Sequence, residues 1–405
     1  RAVFEVMDEG AGRPDRRREV GRADHAALGP GDDADMVGEL ASEVLLEQLR
    51  NDLDGTLLAQ SAAEGWPVPL DEGGRLFVST DPAFTNLAGD HNGWVADPMT
   101  PDQGFWWTVA DPTPGSGYKL DSGNGDVSDP WSRAYNYDSF GRISLVAPTA
   151  AHLDRFFAVG DANVAPRTVR VWVPAQAPTH LLYAHDGQNL FDPEAVWGGW
   201  QLATSLPPAM LVVAIDNTPA RMDEYTHVGD DLGGGPIGGE GDAYADFVQT
   251  TVRGLVAQHY GEPAKIGVMG SSLGGLISLH IADRHDGAYD FVASLSGTVG
   301  WGSMGDGVTN ETIIERYAAG GHQGTAIYID SGGGGTCLDS DGDGIQDDGN
   351  DSDNYCVNKQ LEATLVAAGY VYDTDLWHWH EPGAPHNEAA WGARVFRPLE
   401  IFAGL

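Results

Sequence analysis

The sequence predicts an α/β protein with a mainly parallel sheet, preceded by a small all-β sandwich domain. Two patterns carry this prediction. Between residues 73 and 148, short apolar strands and turn residues recur about every ten positions, which is typical of antiparallel sandwiches. From residue 151 onward, strand and helix patterns alternate, which is typical of a parallel sheet with helices on both faces.

Residues 1–70 are predicted to form an N-terminal arm and a helix. The first part, up to about residue 35, is rich in Arg, Asp and Gly and has weak periodicity, which indicates a poorly packed arm. Apolar residues then recur at helical spacing from 35 to 63, which predicts one amphipathic helix or two.

The predicted sandwich occupies residues 71–148. Its segments "LAGDHNGWVADPM", "GFWWTV", "YKL" and "DPWSRAYNYDSFG" resemble the immunoglobulin-like N-terminal modules of isoamylases and starch-branching enzymes. The resemblance implies a carbohydrate-binding-module-like domain in which Trp94, Trp107 and Trp131 are candidate glucan contacts. The alternative is a module that packs on the following domain and shapes the mouth of its site.

Charge and cysteine content limit the partners and the compartment. With 22 Lys and Arg against 60 Asp and Glu, the formal net charge is −38, so we expect neither nucleic acid nor an anionic membrane as a partner. The two cysteines, Cys337 and Cys356, bracket an acidic loop. A disulfide between them predicts a secreted, extracellular or periplasmic protein, and two free thiols are the alternative.

The main domain is predicted over residues 151–405. Its strand candidates are 168–173, 180–184, 210–215, 265–269, 291–295, 325–329 and 372–379, and its helical segments include 243–258, 273–282 and 357–368.

Residues 270–274, Gly-Ser-Ser-Leu-Gly, have the G-x-S-x-G pattern between a predicted strand and a predicted helix. This is the context of a nucleophile elbow, so the pattern predicts an α/β-hydrolase fold with Ser272 as nucleophile. The helix that follows would direct backbone N–H groups toward a developing oxyanion. An idle serine in a glycine-rich turn is the alternative.

The oxyanion loop is expected after the strand 180–184, where the chain reads His-Asp-Gly-Gln-Asn. In this fold a loop after an early strand supplies the second oxyanion N–H, usually just past a glycine. We therefore expect the backbone N–H groups of Gln188 and Leu273 to form the oxyanion hole. Gly187 would allow a close approach of the backbone to the substrate.

Five motifs resemble the esterase group that holds feruloyl and acetyl esterases of carbohydrate esterase family one, enterochelin esterases and S-formylglutathione hydrolases. In chain order they are "HDGQNLFD", "AIDN…RMDEYT", "GVMGSSLGG", "SLSG…WG" and "GAPHNEAAW". The resemblance covers about residues 150–405 and implies a serine esterase.

The general base is expected in a loop near the C-terminus, where His378, His380 and His386 are candidates. His378 and His380 lie on a predicted strand, where packing could explain them. His386 follows a Pro- and Gly-containing loop, precedes a predicted helix and matches the family's G-x-x-H-x-E-x-x-W, so we expect it to be the base.

The triad acid is ambiguous, because relatives place a carboxylate soon after Gly332 whereas this chain continues with further glycines and an insertion. Asp353, directly before the helix that follows the insertion, is the first choice. Asp330, at the end of the preceding strand, is the second, and Asp351 also remains open.

The insertion, residues 337–356, contains a D-x-D-x-D-G calcium-loop pattern and resembles loops of thrombospondin type-3 or dockerin repeats. It predicts a structural calcium ion, whereas no organic cofactor is expected; a solvated acidic loop is the alternative. The expected ligands are carboxylates, one amide and one backbone carbonyl, from Asp339, Asp341, Asp343, Ile345, Asp347 and Asn350.

The sequence as a whole predicts a secreted serine carboxylic-ester hydrolase that acts through an acyl-enzyme. Feruloyl or acetyl esters on polysaccharide, or other aromatic esters, are the first substrate prediction. The alternatives are a siderophore ester of the enterochelin type, acyl transfer to a sugar, and a non-catalytic carbohydrate-binding protein.

Overall fold

A computed structural model describes residues 42–71, 73–305 and 308–405 of the protein. The predicted arm and the start of the predicted helix 35–63 lie outside these residues. The rest of that helix is two helices, α1 (Ser42–Asn51) and α2 (Leu53–Ala62). Asp52 separates them because its carboxylate accepts the Gly55 N–H at 3.1 Å and caps α2.

Ten short strands follow and form two antiparallel layers. The strands are β1 (Val68–Pro69), β2 (Arg75–Ser79), β3 (Asn86–Gly89), β4 (Asp97–Pro98), β5 (Thr100–Pro101), β6 (Trp106–Ala110), β7 (Gly117–Asp121), β8 (Asp126–Val127), β9 (Ala134–Asp138) and β10 (Gly141–Leu145). One layer has the order β1-β2-β6-β5, and the other has β9-β10-β7-β3-β4, with β8 on β7. Buried side chains from both layers, including Phe77, Leu87 and Tyr118, form a common cluster. The predicted N-terminal β region is therefore present, and its immunoglobulin-like identity stays a prediction.

The β region is joined more closely to its neighbours than we predicted. Leu45 and Leu57 of the two N-terminal helices pack with Trp66 and Leu76 in one buried cluster, so the expected boundary at residues 70 and 71 falls inside a core. Strand β9 pairs antiparallel with β11 (His152–Val159), so the sandwich and the main domain share one sheet across the expected boundary near residue 150.

The three candidate glucan-binding tryptophans do not form an exposed platform. Trp107 and Trp131 pack against the buried cluster under α1 and α2. Trp94 is 44% exposed, and its indole N–H donates to Asp90 at 2.9 Å.

The main sheet has the predicted mainly parallel character. Further strands are β12 (Arg167–Val173), β13 (His180–His185), β14 (Met210–Ile215), β15 (Gly229–Asp230), β16 (Ile237–Gly238), β17 (Lys265–Ser271), β18 (Phe291–Leu295), β19 (Ala326–Ser331), β20 (Gly334–Thr336), β21 (Asn350–Ser352) and β22 (Leu376–His380). The sheet order is β22-β19-β18-β17-β13-β14-β12-β11, continuing into β9. Pairs from β22 to β14 are parallel, whereas β12 and β11 run antiparallel to their neighbours.

Alternation along the central strands divides the core into two layers. Strand β14, Met-Leu-Val-Val-Ala-Ile, is buried throughout, as expected for a strand covered on both faces. Leu211 and Val213 face one cluster, and Met210 and Val212 face the other, because successive side chains point to opposite sides.

Eight helices of the described chain belong to the main domain. They are α3 (Arg221–Glu224), α4 (Gly241–Phe247), α5 (Arg253–Tyr260), α6 (Leu273–Arg284), α7 (Ile313–Gly320), α8 (Tyr355–Ala368), α9 (Glu388–Arg394) and α10 (Phe396–Ala403). The predicted helix 243–258 is α4 and α5 joined by a π-helical turn over Val248–Val252. Within the described residues, no helix combines the length and the apolarity that crossing a membrane requires.

Candidate active site

The nucleophile elbow lies where β17 passes into α6. Ser272 has φ 56° and ψ −125°, a strained turn that the flanking glycines permit. A Cβ atom on Gly270 would overlap the Gly274 carbonyl, and one on Gly275 would lie 2.5 Å from Ser294 Oγ. The local chain therefore exposes Ser272 at the carboxyl edge of the parallel strands and requires glycine on both sides.

Ser272, His386 and Asp353 form a continuous hydrogen-bonded chain. Ser272 Oγ lies 2.9 Å from His386 Nε2, and His386 Nδ1 lies 2.6 Å from Asp353 Oδ1. The His386 side chain is 36% exposed, whereas that of Asp353 is 1% exposed. The structure thus brings together the first choice for each of the three predicted roles.

The second choice for the acid, Asp330, does not contact His386. Its carboxylate is fully buried and receives two hydrogen bonds from Arg394, both at 3.0 Å, and one from the Tyr328 hydroxyl at 3.0 Å. Burial raises the pKa of Asp330, and Arg394 opposes that rise. Asp351 is occupied elsewhere, since its Oδ2 accepts the Cys356 N–H at 2.8 Å.

The other histidine candidates also lie away from the nucleophile. His378 Nδ1 is 2.9 Å from Glu362 Oε1. The His380 ring packs against Tyr355 with centroids 4.5 Å apart, and its Nε2 lies 3.2 Å from the Gly333 carbonyl.

The predicted oxyanion N–H groups, on Gln188 and Leu273, have no hydrogen-bond partner among the described residues. The two segments are adjacent, because a Cβ atom on Gly274 would lie 3.2 Å from Asp186 Oδ2. Unpartnered N–H groups beside a nucleophile are available to an oxyanion. Gly187 permits close packing on β14, because an added Cβ atom would lie 2.6 Å from the carbonyl carbon of Ala214, and its predicted role toward the substrate stays a prediction.

A partly buried ion pair holds the oxyanion loop. Asp186 has φ 59°, and its two carboxylate oxygens accept hydrogen bonds from Arg221 at 2.8 and 2.9 Å. Asn217 donates to the same carboxylate at 2.6 Å, while its backbone N–H donates to Gln188 Oε1 at 3.1 Å. These contacts fix the backbone that presents the Gln188 N–H.

Glu388, two residues after His386, lies next to the oxyanion loop. Asn189 Nδ2 donates to Glu388 Oε1 at 3.2 Å, which links the oxyanion loop to α9. Burial, together with the nearby Asp186 carboxylate, raises the pKa of Glu388. Its carboxylate is therefore a second acidic group close to the base.

Three residues around the triad were not predicted: Ser296, Trp391 and Arg394. Ser296 and Trp391 stand in the motifs "SLSG" and "GAPHNEAAW", which pointed to the family but assigned these residues no role. Arg394 follows as the last residue of α9 and is 3% exposed. The sequence carries no local signal for Arg394, because its burial beside a carboxylate partner appears only in the folded chain.

The acidic insertion is anchored beside the triad acid. Cys337 and Cys356 form the predicted disulfide, strands β20 and β21 pair at its base, and Ile345 is buried in the main core. Asp353 and Asn354, directly after β21, have φ 58° and 55°. The insertion therefore ends in a strained turn that carries Asp353.

Part of the acidic insertion has carboxylates arranged as a calcium site requires. Carboxylate oxygens of Asp339, Asp341 and Asp348 lie within 4.8 Å of one another, so Asp348 rather than Asp347 joins the convergent group. Asp347 Oδ2 is buried and has no hydrogen-bond partner among the described residues. Such an arrangement of carboxylate oxygens suits a hard cation. Asp343 instead contacts the Ser303 hydroxyl, and the roles predicted for the Ile345 carbonyl and for Asn350 stay predictions.

The chain is similar to several solved structures. The ferric enterobactin esterase of Salmonella typhimurium has 14% identity and a TM-score of 0.46, covering 82% of this chain and 93% of its own. The siderophore hydrolase EstA of Aspergillus nidulans has 18% identity and a TM-score of 0.46, covering 62% and 94%. An IroE-like serine hydrolase of Shewanella oneidensis has 15% identity and a TM-score of 0.47, covering 61% and 78%. A search of curated protein sequences gives no match.

The family comparison covers most of the main domain. The model of the Esterase family, described as "Putative esterase", matches residues 162–400, which include the elbow, the oxyanion loop and His386. This match spans more than half of the chain. The chain therefore belongs to this esterase family, and the protein is a serine esterase.

Proposed function

We propose that the protein hydrolyses carboxylic esters through an acyl-enzyme on Ser272. One observation carries the proposal: the hydrogen-bonded chain from Ser272 Oγ through His386 to Asp353, with distances of 2.9 and 2.6 Å. Side chains so arranged can remove the hydroxyl proton, hold the imidazole in the required tautomer and stabilise the imidazolium that forms.

In the first half-reaction, Ser272 Oγ attacks the ester carbonyl while His386 Nε2 takes the hydroxyl proton. The N–H groups of Leu273 and Gln188 would receive the oxyanion of the tetrahedral intermediate. The C–O bond to the alcohol then breaks, and His386 returns the proton to that alcohol. Water repeats the sequence on the acyl-enzyme and releases the acid, with Asp353 ionised throughout.

Aromatic esters, including feruloyl-type esters on polysaccharide, are the proposed substrates. Trp197 supports this choice because it is 57% exposed in the short turn Val196–Gly198, which packs against α9. Two residues after this turn, the Trp200 N–H donates to the Asn189 carbonyl of the oxyanion loop at 2.9 Å. An exposed indole on a turn that packs against α9 offers a stacking surface for an aromatic group.

A siderophore ester of the enterochelin type is the second candidate. The feature that favours it is the β region ahead of the main domain, since enterochelin esterases, which the motifs resemble, also carry an N-terminal module. In this chain the region continues the main sheet through the pairing of β9 with β11.

A structural calcium ion and export from the cytoplasm belong to the same proposal. The converging oxygens of Asp339, Asp341 and Asp348 support the ion, which would hold the insertion next to Asp353. The Cys337–Cys356 disulfide supports an oxidising compartment.

Turnover of p-nitrophenyl acetate by the wild type and by Ser272→Ala tests the proposal. Sustained release of nitrophenol that the variant loses is the expected result. A burst without turnover would favour acyl transfer, and no release by the wild type would favour a binding protein. Methyl ferulate, acetylated xylan and a catecholate trilactone then separate the substrate classes, with Trp197→Ala expected to raise KM for the aromatic ester.

A further inference from the structure

The second oxygen of the triad carboxylate is held by a buried network that the mechanism above does not use. Asp353 Oδ2 accepts hydrogen bonds from the Ser296 hydroxyl, at 2.7 Å, and from the Gly332 N–H. The Arg394 guanidinium lies 3.7 Å from the same oxygen. Asp353 Oδ1 is thereby left for His386.

The direction of the Ser296 hydroxyl proton follows from its neighbours. Ser296 Oγ receives one hydrogen bond from Arg394 Nη2, at 2.7 Å, and another from Trp391 Nε1, at 3.1 Å. Arginine and the tryptophan indole N–H can only donate, so neither can accept the hydroxyl proton. The remaining neighbour is Asp353 Oδ2, and the hydroxyl must donate to it.

Arg394 is itself fixed by Asp330. The two residues are 3% and 0% exposed and share two hydrogen bonds of 3.0 Å. Arg394 Nη1 also donates to the Ala390 carbonyl at 3.2 Å. One guanidinium therefore reaches Asp330, Ser296 and the neighbourhood of Asp353 from a rigid position on α9.

The same network also touches the base. The Trp391 ring, whose N–H donates to Ser296, packs edge-on against the His386 imidazole with centroids 4.9 Å apart. The acid and the base come from separate segments, since Asp353 ends the insertion and His386 precedes α9. Because both residues contact this network on α9, the network can fix the position of Asp353 relative to His386.

We propose that Arg394, acting through the Ser296 hydroxyl, positions the Asp353 carboxylate for His386. This inference rests on the proposed function of the triad. Arg394 touches neither substrate nor reacting atoms and is a positioning residue, with Asp330 as its anchor. Loss of this support lets the carboxylate rotate away from His386, and a displacement of about 1 Å in a catalytic group can reduce turnover by about 100-fold.

Charge-balanced variants test the role without leaving a buried ion unpaired. Asp330→Asn with Arg394→Met removes both partners of the ion pair, and Ser296→Ala removes the hydroxyl while keeping the pair. Each change is expected to lower kcat by about 10-fold and to leave KM unchanged. Combining all three is expected to lower kcat little further, because residues that act through one another are not additive.

The half-buried pair Arg316 and Asp283 provides the matched control, since Asp283 lies at the end of α6 remote from Ser272. Arg316→Met with Asp283→Asn is expected to keep kcat. Unchanged kcat in Ser296→Ala, or multiplicative effects in the combined variant, would overturn the positioning role. Ser272→Ala is measured alongside: if it retained turnover, the proposed function itself would be wrong, and that outcome is distinguishable from failure of the network alone.

Discussion

Asp353 Oδ1 lies 2.6 Å from His386 Nδ1, whereas Asp330 turns away from His386 and bonds Arg394. The alternation of β19 accounts for the difference. Asp330 and Tyr328 are two positions apart and point to the same face, where α9 covers them. Asp353 instead follows β21 in a left-handed turn that directs its carboxylate to the edge of the sheet.

Replacing Asp353 and Asp330 separately by asparagine should distinguish the acid of the triad from the residue that holds Arg394. Asp353→Asn is expected to lower kcat by about 100-fold or more, since an amide N–H facing Nδ1 favours the wrong tautomer of His386. Asp330→Asn should act mainly on stability, because it leaves Arg394 buried without its partner, a loss of about 3 kcal/mol. Steady-state kinetics and urea unfolding of both variants measure the two effects. Equal loss of kcat in both would contradict the assignment.

The relative placement of Ser272, His386 and the loop at Gly187 was predictable because each position follows from a local pattern. The elbow needs only a strand, a G-x-S-x-G turn and a helix, and His386 stands between a loop and a helix start. The parallel sheet was predictable from the same alternation of strands and helices.

The acid was left open because its position depends on where the insertion returns the chain, which the local pattern does not contain. Ser296, directly after β18, and Arg394 of α9 come together through tertiary packing, so spacing gave no sign of their contact. The pairing of β9 with β11 was not predictable for a similar reason: it is a backbone contact across the expected linker near residue 150, and that domain boundary stays a prediction.

Gly187→Ala tests whether packing of the oxyanion loop controls turnover. The added Cβ atom would lie 2.6 Å from the Ala214 carbonyl carbon and 2.9 Å from Asp216 Oδ1, so the loop must shift with the Gln188 N–H. Loss of one oxyanion donor typically lowers kcat by about 100-fold or more, and we expect a fall of that order. Gly254→Ala is the control, because nothing lies within 4 Å of its added Cβ atom. Equal kcat in the two variants would show that the loop position is unimportant.

Removal of calcium is expected to lower the melting temperature under non-reducing conditions. A ligand at about 100 times its Kd stabilises the folded state by about 2.7 kcal/mol, which chelation would remove. Magnesium in place of calcium provides the first control, and Asp339→Asn with Asp341→Asn should abolish the response because those oxygens converge. An unchanged melting temperature after chelation would contradict the calcium proposal.

Acidification should destabilise the fold through buried neutral histidines. Burial lowers the pKa of His227 and of His280 to about 4, with the neighbouring histidine adding to the effect at His280. The unfolded chain titrates near pH 6.5, so between about pH 6.5 and 4 it binds more protons than the folded chain. The contribution of each neutral histidine to the free energy of unfolding is fully present above pH 6.5. It falls by about 1.4 kcal/mol per pH unit as the pH drops toward 4.

His227→Gln isolates one of these contributions. His227 Nε2 lies 2.9 Å from the Glu311 carbonyl, and a glutamine amide can donate to the same oxygen without titrating. Between pH 7.5 and 5.0, the wild type should lose about 2 kcal/mol more unfolding free energy than this variant. Urea unfolding at the two pH values measures the difference. Parallel losses in the two proteins would mean that His227 is protonated as readily in the folded chain as in the unfolded one.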